Sequence, residues 1–298
     1  MARAHRQTAP VEQGLVVAAY GRRYRVELAD ASEMDCVTRG RKSDVACGDH
    51  VRVAKTGAGG GVIESVEPRA SLFFRSDARR EKLIAANVTQ LIVVVAPIPV
   101  YHEDLLDRCL VGAEHARIKA LIALNKADLP EASTTASALA PFCELGYPVV
   151  MLSAKRDVTP LLDHLKGEVS VLVGQSGMGK STLINALVPD AAARVAEISA
   201  ALGSGRHTTT HAEMYRLDDA TRLIDSPGLQ EFGLHHLSTE DAAHAYVEFR
   251  PYLSSCRFRD CRHVSEPNCA VATAAGEGKI AERRLVSYRR LAAELARR

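Results

Sequence analysis

Near the start of the chain apolar and polar positions alternate with the period of half-buried strands. Gly14-Leu-Val-Val-Ala-Ala-Tyr20 leads through a Gly-Arg-Arg turn into Tyr24-Arg-Val-Glu-Leu28. Asp35–Thr38, His50–Ala54 and Gly61–Val66 follow as short candidates between turns that contain Gly and Asp. Five short strands within about seventy residues predict a small closed barrel, and an OB-type barrel fits best. A linker, Glu67–Asp77, follows with Pro68 marking the boundary, and its Phe73 and Phe74 are expected to dock on a neighbouring domain.

Beyond the linker the pattern changes to apolar runs separated by helical periodicity. Val88–Ala96 is almost continuously apolar, as a strand covered on both faces would be. Leu105–Ala116 reads as a helix, Lys119–Leu124 as a second buried strand and, after another helix, Pro148–Leu152 as a third. Leu161–Lys166 precedes the strand Glu168–Val173, and Ser181–Leu187 places Leu183, Ile184 and Leu187 on one helical face. Arg222–Asp225 is a further strand. Strands alternating with helices predict an α/β unit with a mostly parallel sheet, its ligands gathered at the carboxyl ends of the strands.

The turns at those ends carry the chemistry. Gly174, Gln175, Ser176, Gly177, Met178, Gly179, Lys180 and Ser181 fit G-x-x-x-x-G-K-[ST] between a strand and a helix start. Glycines let backbone N–H groups converge on phosphate oxygens, the helix N-terminus adds partial positive charge, and Lys180 reaches the β- and γ-phosphates. Ser181, followed by Thr182, offers its hydroxyl to Mg²⁺. Asn125-Lys126-Ala127-Asp128 ends another strand, and N-K-x-D in that place points to guanine. Asp128 can accept from N1–H and the N2 amine side by side, a pair that adenine lacks. Asn125 is expected to meet the N7/O6 edge and the Lys126 stem to cover the ring. Ser153-Ala154, at the next strand end, is expected to bring a backbone N–H to O6.

Asp225-Ser-Pro-Gly228 adds D-x-x-G: Asp225 would hold Mg²⁺ through water and the Gly228 N–H would contact the γ-phosphate. Between the two phosphate motifs lies Gly203-Ser-Gly-Arg-His-Thr-Thr-Thr210, a glycine-flexible loop suited to ligating Mg²⁺ only in the GTP state. Thr208, Thr209 and Thr210 all qualify, and Thr209 is taken first. Most GTP-binding proteins run phosphate loop, threonine loop, D-x-x-G, N-K-x-D, S-A. Here N-K-x-D and S-A come first, so the GTPase unit is circularly permuted. Permutation moves the chain ends and leaves the packing in place, so the strand-end sites still converge. It also makes the segment after D-x-x-G lead straight into the C-terminal region, to which nucleotide state could be transmitted directly.

That region holds Cys256, Cys261, His263 and Cys269, a C-x₄-C-x-H-x₅-C array that fits a closed tetrahedral and therefore structural Zn²⁺ site. Arg257, Arg259 and Arg262 would project around this knuckle toward an anionic partner. The last helix, Lys279–Arg298, carries Arg283, Arg284, Arg289, Arg290, Arg297 and Arg298 on a charged face, either solvated or RNA-facing. Leu285, Tyr288, Leu291 and Leu295 line its apolar side.

Composition bounds the reading further. A chain of 298 residues with 47% apolar content is long enough for several cored domains. No apolar run reaches membrane-spanning length, since the longest, around Leu91–Pro99, is broken by prolines, and no membrane partner is expected. A net charge of +2 decides nothing until its distribution is seen: Arg22, Arg23, Arg25, Arg39, Arg41, Lys42, Arg52 and Lys55 decorate the barrel. Tyr20 and Tyr24 are its sparse candidates for stacking on RNA bases. The basic Met1–Arg6 stretch lacks the apolar core of a secretory signal. Seven cysteines, an odd number with three clustered, favour a reducing compartment and a metal site over a disulfide framework.

A basic barrel, the permuted order N-K-x-D, S-A, G-x-x-x-x-G-K-S, D-x-P-G and the Cys/His knuckle together resemble the ribosome small subunit-dependent GTPases, the RsgA family. The resemblance runs from about residue 11 to the end. It implies a cytoplasmic, monomeric bacterial GTPase that uses GTP/GDP, Mg²⁺ and one structural Zn²⁺. Such a protein binds the small (30S) ribosomal subunit through its 16S rRNA, assists late maturation, and hydrolyses GTP slowly alone but faster on the subunit. The expected organisation is a barrel over 1–70, the permuted GTPase unit over 71–235 and a zinc-binding helical unit over 236–298. Leu229 stands where many GTPases place a water-orienting Gln, and Gln230 comes one residue late. The resemblance gives that catalytic role to His207, beside Lys180. The motifs alone leave two rivals. One is a P-loop ATPase or small-molecule kinase, separable by competition of GTP against ATP. The other is an RNA-binding switch with inefficient hydrolysis.

Overall fold

The computed structural model describes residues 11–39, 44–56, 59–76, 81–188, 211–226 and 231–297. Five strands, β1 (Val11–Tyr20), β2 (Arg23–Leu28), β3 (Glu33–Thr38), β4 (His50–Lys55) and β5 (Gly61–Val66), close into a barrel. β1 pairs with β2 and β4, β2 with β3, and β5 runs parallel to β3 and antiparallel to β4. This circuit is that of an OB barrel. Its core is Val16, Tyr24, Val26, Leu28, Cys36, Val51, Val53 and Ile63. Tyr24 is therefore no stacking platform: its ring shares the inward parity of Val26 and Leu28 and is 1% exposed. Tyr20 packs edge-on against His211, with its hydroxyl buried. Arg25 pairs with Glu33 and Asp35, Arg39 with Glu64 and Lys55 with Glu12, whereas Arg22, Arg23 and Arg52 lie exposed. Arg41 and Lys42 lie outside the described residues.

The linker contains regular structure that its sequence conceals. β6 (Leu72–Ser76) and β7 (Glu81–Ala86) form an antiparallel hairpin. Phe73 stacks on Phe232 with centroids 5.1 Å apart, and Phe74 lies 4.2 Å from His236. Both rings thus dock on the segment beyond Asp225. Ser76 adds backbone bonds to it, donating to the Gly233 carbonyl at 2.9 Å and accepting from His235 at 3.3 Å.

β8 (Gln90–Val95), β9 (Lys119–Leu124), β10 (Val149–Met151), β11 (Val169–Val173) and β13 (Arg222–Asp225) form a parallel array in the order β10-β9-β8-β11-β13. β12 (Ala212–Arg216), which the sequence reading lacks, pairs antiparallel with β13 on one side and with Ala18 and Ala19 of β1 on the other. Barrel and parallel array are therefore one hydrogen-bonded sheet. Leu91, Val93 and Val95 face α1 (Glu103–Ala116) and α2 (Ala132–Glu144). Ile92 and Val94 face α3 (Thr159–Leu165) and α4 (Lys180–Leu187). That is the alternation of a strand covered on both sides.

The C-terminal part packs onto the α1 side. It comprises α5 (Thr239–Ala245), opened by a capping box between Ser238 and Asp241, then α6 (Arg250–Leu253), α7 (Ala270–Gly276) and α8 (Glu282–Leu295). Leu285, Tyr288, Leu291 and Leu295 are buried as the helical pattern predicts. The arginine face of α8 differs from expectation. Arg284 is 2% exposed and donates to Asp107 Oδ1 at 2.7 Å and Glu248 Oε1 at 2.5 Å. Arg283 donates to Asp107 Oδ2 at 3.0 Å, and Arg289 to the His263 carbonyl at 3.3 Å. These three side chains serve the fold, because their acidic and carbonyl partners arrive from distant segments. Arg298 lies outside the described residues. No helix among the described residues is long and apolar enough to cross a membrane.

Candidate nucleotide site and metal centre

Sterics explain the glycine loop first. Gly174 leaves β11 at φ 147°, where a Cβ would stand 2.4 Å from the Val94 carbonyl oxygen. Gly179, the N-cap of α4, has φ 93°, and a Cβ there would stand 2.4 Å from Asn125 Nδ2. Only glycine fits at either point.

Asn125 fastens three loops together. It is 1% exposed; Nδ2 donates to the Met178 carbonyl at 2.9 Å, and Oδ1 accepts from the N–H groups of Lys126 at 2.8 Å and Ala154 at 2.9 Å. Both ends of the amide are thus engaged within the protein. The amide nitrogen carries a second N–H, the donor that the expected contact with the N7 edge of a base calls for, while the Ala154 N–H is turned toward Asn125. Lys126, at φ 59°, donates through Nζ to the carbonyls of Ile98 at 2.6 Å and Gly177 at 2.8 Å, so its stem spans from the N-K-A-D turn to the glycine loop. Ser153 Oγ donates to Asp128 Oδ1 at 2.7 Å and holds that carboxyl below its usual range. Arg156 Nε stands 3.7 Å from the other oxygen of Asp128.

Lys180 is 8% exposed, and its Nζ donates to the carbonyls of Gly174 at 2.7 Å and Gln175 at 3.0 Å. Burial pushes its pKa down, and the charge of Asp225 works against that shift. A buried ammonium that donates to backbone carbonyls beside the charge of Asp225 is a fitting receiver for phosphate. Gln175 Oε1 accepts from the His102 N–H at 2.6 Å, tying the loop to the start of α1. This contact carries no sequence signal, since the two residues lie 73 positions apart. Ser176 and Gly177 are exposed, while Met178 is buried, so Met178 contributes through its backbone. Ser181 and Thr182 lie exposed in the first turn of α4. Asp225 ends β13 at 5% exposure, and Ser226 Oγ donates to the Leu172 carbonyl at 2.5 Å. His207, Thr208, Thr209, Thr210 and Gly228 lie outside the described residues, as do Leu229 and Gln230.

The predicted zinc ligands do converge. One donor atom from each of Cys256, Cys261, His263 and Cys269 lies within 4.8 Å of every other. The sulfurs of Cys256 and Cys269 are each 3.4 Å from His263 Nδ1. A tetrahedral Zn²⁺ with its usual bond lengths separates S from N by about 3.6 Å, so the set fits the ion. His263 adopts φ 60° to enter this cluster. Tyr288 Oη donates to the Arg262 carbonyl at 2.7 Å and fixes the turn to α8. Burial would raise Glu266, but N–H donors from Arg262, Val264 and Ser265 outweigh it and hold the carboxyl at about 2.

Comparison with known proteins gives one consistent result. The profile of the family described as RsgA GTPase matches residues 66–235. A Nitrosospira multiformis protein named small ribosomal subunit biogenesis GTPase RsgA is 53% identical over 289 residues, covering 97% of this chain and 92% of that protein. Its namesake in Nitrosomonas europaea is 51% identical over 282 residues, covering 93% and 90%. The crystal structure of YjeQ from Thermotoga maritima superposes with a TM-score of 0.74 at 30% identity, covering 97% of this chain and 100% of that one. YloQ, described as a circularly permuted GTPase, gives 0.68 at 26% identity, covering 99% and 98%.

Proposed function

The chain belongs to the RsgA GTPase family and is a GTP-hydrolysing enzyme, and from that premise we propose that it acts in the late maturation of the small ribosomal subunit. The observation that carries the nucleotide reading is the bracket around Asn125. It binds the N-K-A-D turn, the S-A turn and the glycine loop into one pocket although their order in the chain is permuted. Family membership also decides against the ATPase or kinase reading.

In this pocket the backbone of Gly174–Lys180 receives the phosphates, and Lys180 exchanges its two carbonyls for β- and γ-phosphate oxygens. Phosphate charge there restores the ammonium that burial disfavours. Asp128 accepts guanine N1–H and N2–H, and Lys126 walls the base. Mg²⁺, when bound, would supply positive charge against the charge that develops on the phosphates. Ser181, Thr209 and Asp225 would hold it, Thr182 joins Ser181 in binding the nucleotide, and the Gly228 N–H meets the γ-phosphate. His207 orients the attacking water; full subunit-stimulated turnover in His207→Ala would remove it from that role. Zn²⁺ serves as a structural staple.

Arg22, Arg23 and Arg52 on the barrel and the exposed arginines of the knuckle face 16S rRNA. The protein works as a cytoplasmic monomer in three units, 1–70, 71–235 and 236–298. GTP favours the subunit-bound state and hydrolysis releases it; equal subunit affinity of the GTP- and GDP-loaded forms would overturn that order. The decisive test is phosphate release with purified small subunits, with large subunits and ATP as controls. Stimulation of GTP turnover by small subunits alone is expected. Stimulation by neither subunit would keep the GTP site and remove the ribosome.

A further inference from the structure

The chain has six phenylalanines, and five are occupied inside the fold. Phe73, Phe142, Phe232 and Phe249 are at most 2% exposed, and Phe74 packs on His236. Phe258 is 40% exposed. It occupies the tip of the knuckle, in the loop Arg257–Asp260 between the zinc ligands Cys256 and Cys261, and every residue of that loop is exposed. The Arg257 guanidinium stands over its ring, 5.6 Å from the centroid. Arg259 and Arg262 lie exposed beside it, so the segment Arg257–Arg262 carries three arginines against one acidic residue, Asp260, with Glu266 engaged by backbone N–H groups of the knuckle.

A ring left 40% exposed forgoes much of the gain that full burial would give. It is nonetheless held in place. The Cys261 N–H donates to the Phe258 carbonyl at 3.3 Å, and Tyr288 anchors the Arg262 carbonyl, so a turn and α8 restrain the loop, as Zn²⁺ on Cys256 and Cys261 would further. A restrained ring loses little conformational freedom when a partner arrives. Its chemistry selects the partner. A nucleobase has a flat π-face for Phe258 and for the guanidinium plane, and its flanking phosphates suit the arginines. Paired bases are already stacked, so the base must be unpaired. The barrel offers no equivalent among the described residues, since Tyr24 lies in its core and the Tyr20 hydroxyl is buried.

We propose that Phe258 is a base-stacking contact: it receives one unpaired base of RNA on the small ribosomal subunit while Arg257, Arg259 and Arg262 hold the neighbouring phosphates. The contact rests on the ribosomal reading above and specifies it. The test uses the full zinc-loaded chain with a non-hydrolysable GTP analogue and measures equilibrium binding to purified small subunits. Phe258→Ala, Phe258→Leu and Phe258→Trp are compared, with zinc stoichiometry and melting temperature confirming an intact knuckle. Ala and Leu should weaken binding about tenfold, the loss expected for one base–aromatic stack, and Trp should retain it. A photocrosslink from position 258 should map to ribosomal RNA. Binding by Phe258→Ala within about twofold of the parent would overturn the contact. So would retention by Leu as good as by Trp, which marks an apolar protein contact, or a crosslink to a ribosomal protein. Failure of the unaltered chain to bind small subunits is a separate outcome, which removes the ribosomal reading and this contact with it.

Discussion

The bond from Ser153 Oγ to Asp128 Oδ1 fixes the carboxyl and lowers its pKa, with the positive charge of Arg156 adding to the effect. A carboxyl whose pKa is lowered in the folded protein stays ionised through neutral and mildly acid pH. Its contribution to guanine binding is therefore present across that range and is lost only as pH falls through the lowered value. Ser153→Ala should move that loss to higher pH, read as the GTP dissociation constant over an acid pH series; an unshifted profile would deny Ser153 this role. Asp128→Asn should cost GTP affinity about a hundredfold or more, since two charge-assisted bonds go. The amide should in turn accept xanthosine triphosphate, whose O2 can receive its N–H. Unchanged GTP affinity in Asp128→Asn would mean that Asp128 does not touch the base. The motif made Asp128 and Asn125 visible in the sequence, but not the direction of the Asn125 side chain. Its partners at Met178 and Ala154 lie 53 and 29 positions away, and no local pattern records such a bracket.

At the level of elements, strands with a clear alternation or a continuous apolar run were legible, and those stabilised by distant partners were not. Lys119–Leu124 is read to the residue because both faces of β9 are covered by the fold's own core. β6 and β7 are short apolar runs separated by a charged stretch after Pro68, and their support comes from Phe232 and Gly233, which lie beyond the GTPase motifs. β12 has only five residues and owes its place to pairing with both β1 and β13. The knuckle is the opposite case, where ligand spacing alone revealed the site. Little regular structure lies between Cys256 and Cys269, so the metal must supply the order that a core would give. Chelation of Zn²⁺ should make Cys256, Cys261 and Cys269 reactive to a thiol reagent above the baseline set by exposed Cys143. Tyr288 and Arg289 should lose their carbonyl partners at Arg262 and His263, lowering the melting temperature by several degrees, roughly 2–4 °C per kcal/mol for a chain of this size. Added Zn²⁺ should reverse both effects. Thiols that stay unreactive after chelation would refute the staple.

Across the whole molecule, one buried charge cluster joins the zinc-bearing part to the parallel sheet. Asp107 of α1 is fully buried and accepts from both Arg283 and Arg284, which lie 176 and 177 positions away. Glu248 takes the other side of Arg284, and the ring of Tyr246 lies 4.4 Å from its guanidinium. Burial alone would disfavour the Arg284 charge, but Asp107 and Glu248 more than offset that and raise its pKa. A second link runs from Arg108 to Glu294 at 2.6 Å and on to His235 at 3.0 Å. The arrangement holds the knuckle in a fixed relation to the nucleotide pocket, because α1 also carries the backbone bond to Gln175 at its start. Arg284→Met strands Glu248 in a low-dielectric site, leaves Asp107 to Arg283 alone, and should cost about 3–5 kcal/mol in denaturant unfolding. Glu248→Gln made in the Arg284→Met background should regain part of that loss, since it removes the stranded charge. Losses that simply add would show that the two residues act independently. The joint also has a functional signature. If it transmits subunit contact to the pocket, Arg284→Met should lower subunit-stimulated GTP turnover far more than turnover by the protein alone, at temperatures where the variant remains folded. Equal loss of both rates would reduce the cluster to a stabilising contact and leave the route from the knuckle to the nucleotide elsewhere, with the link through Glu294 to Arg108 and His235 and the hairpin at Ser76 among the remaining connections.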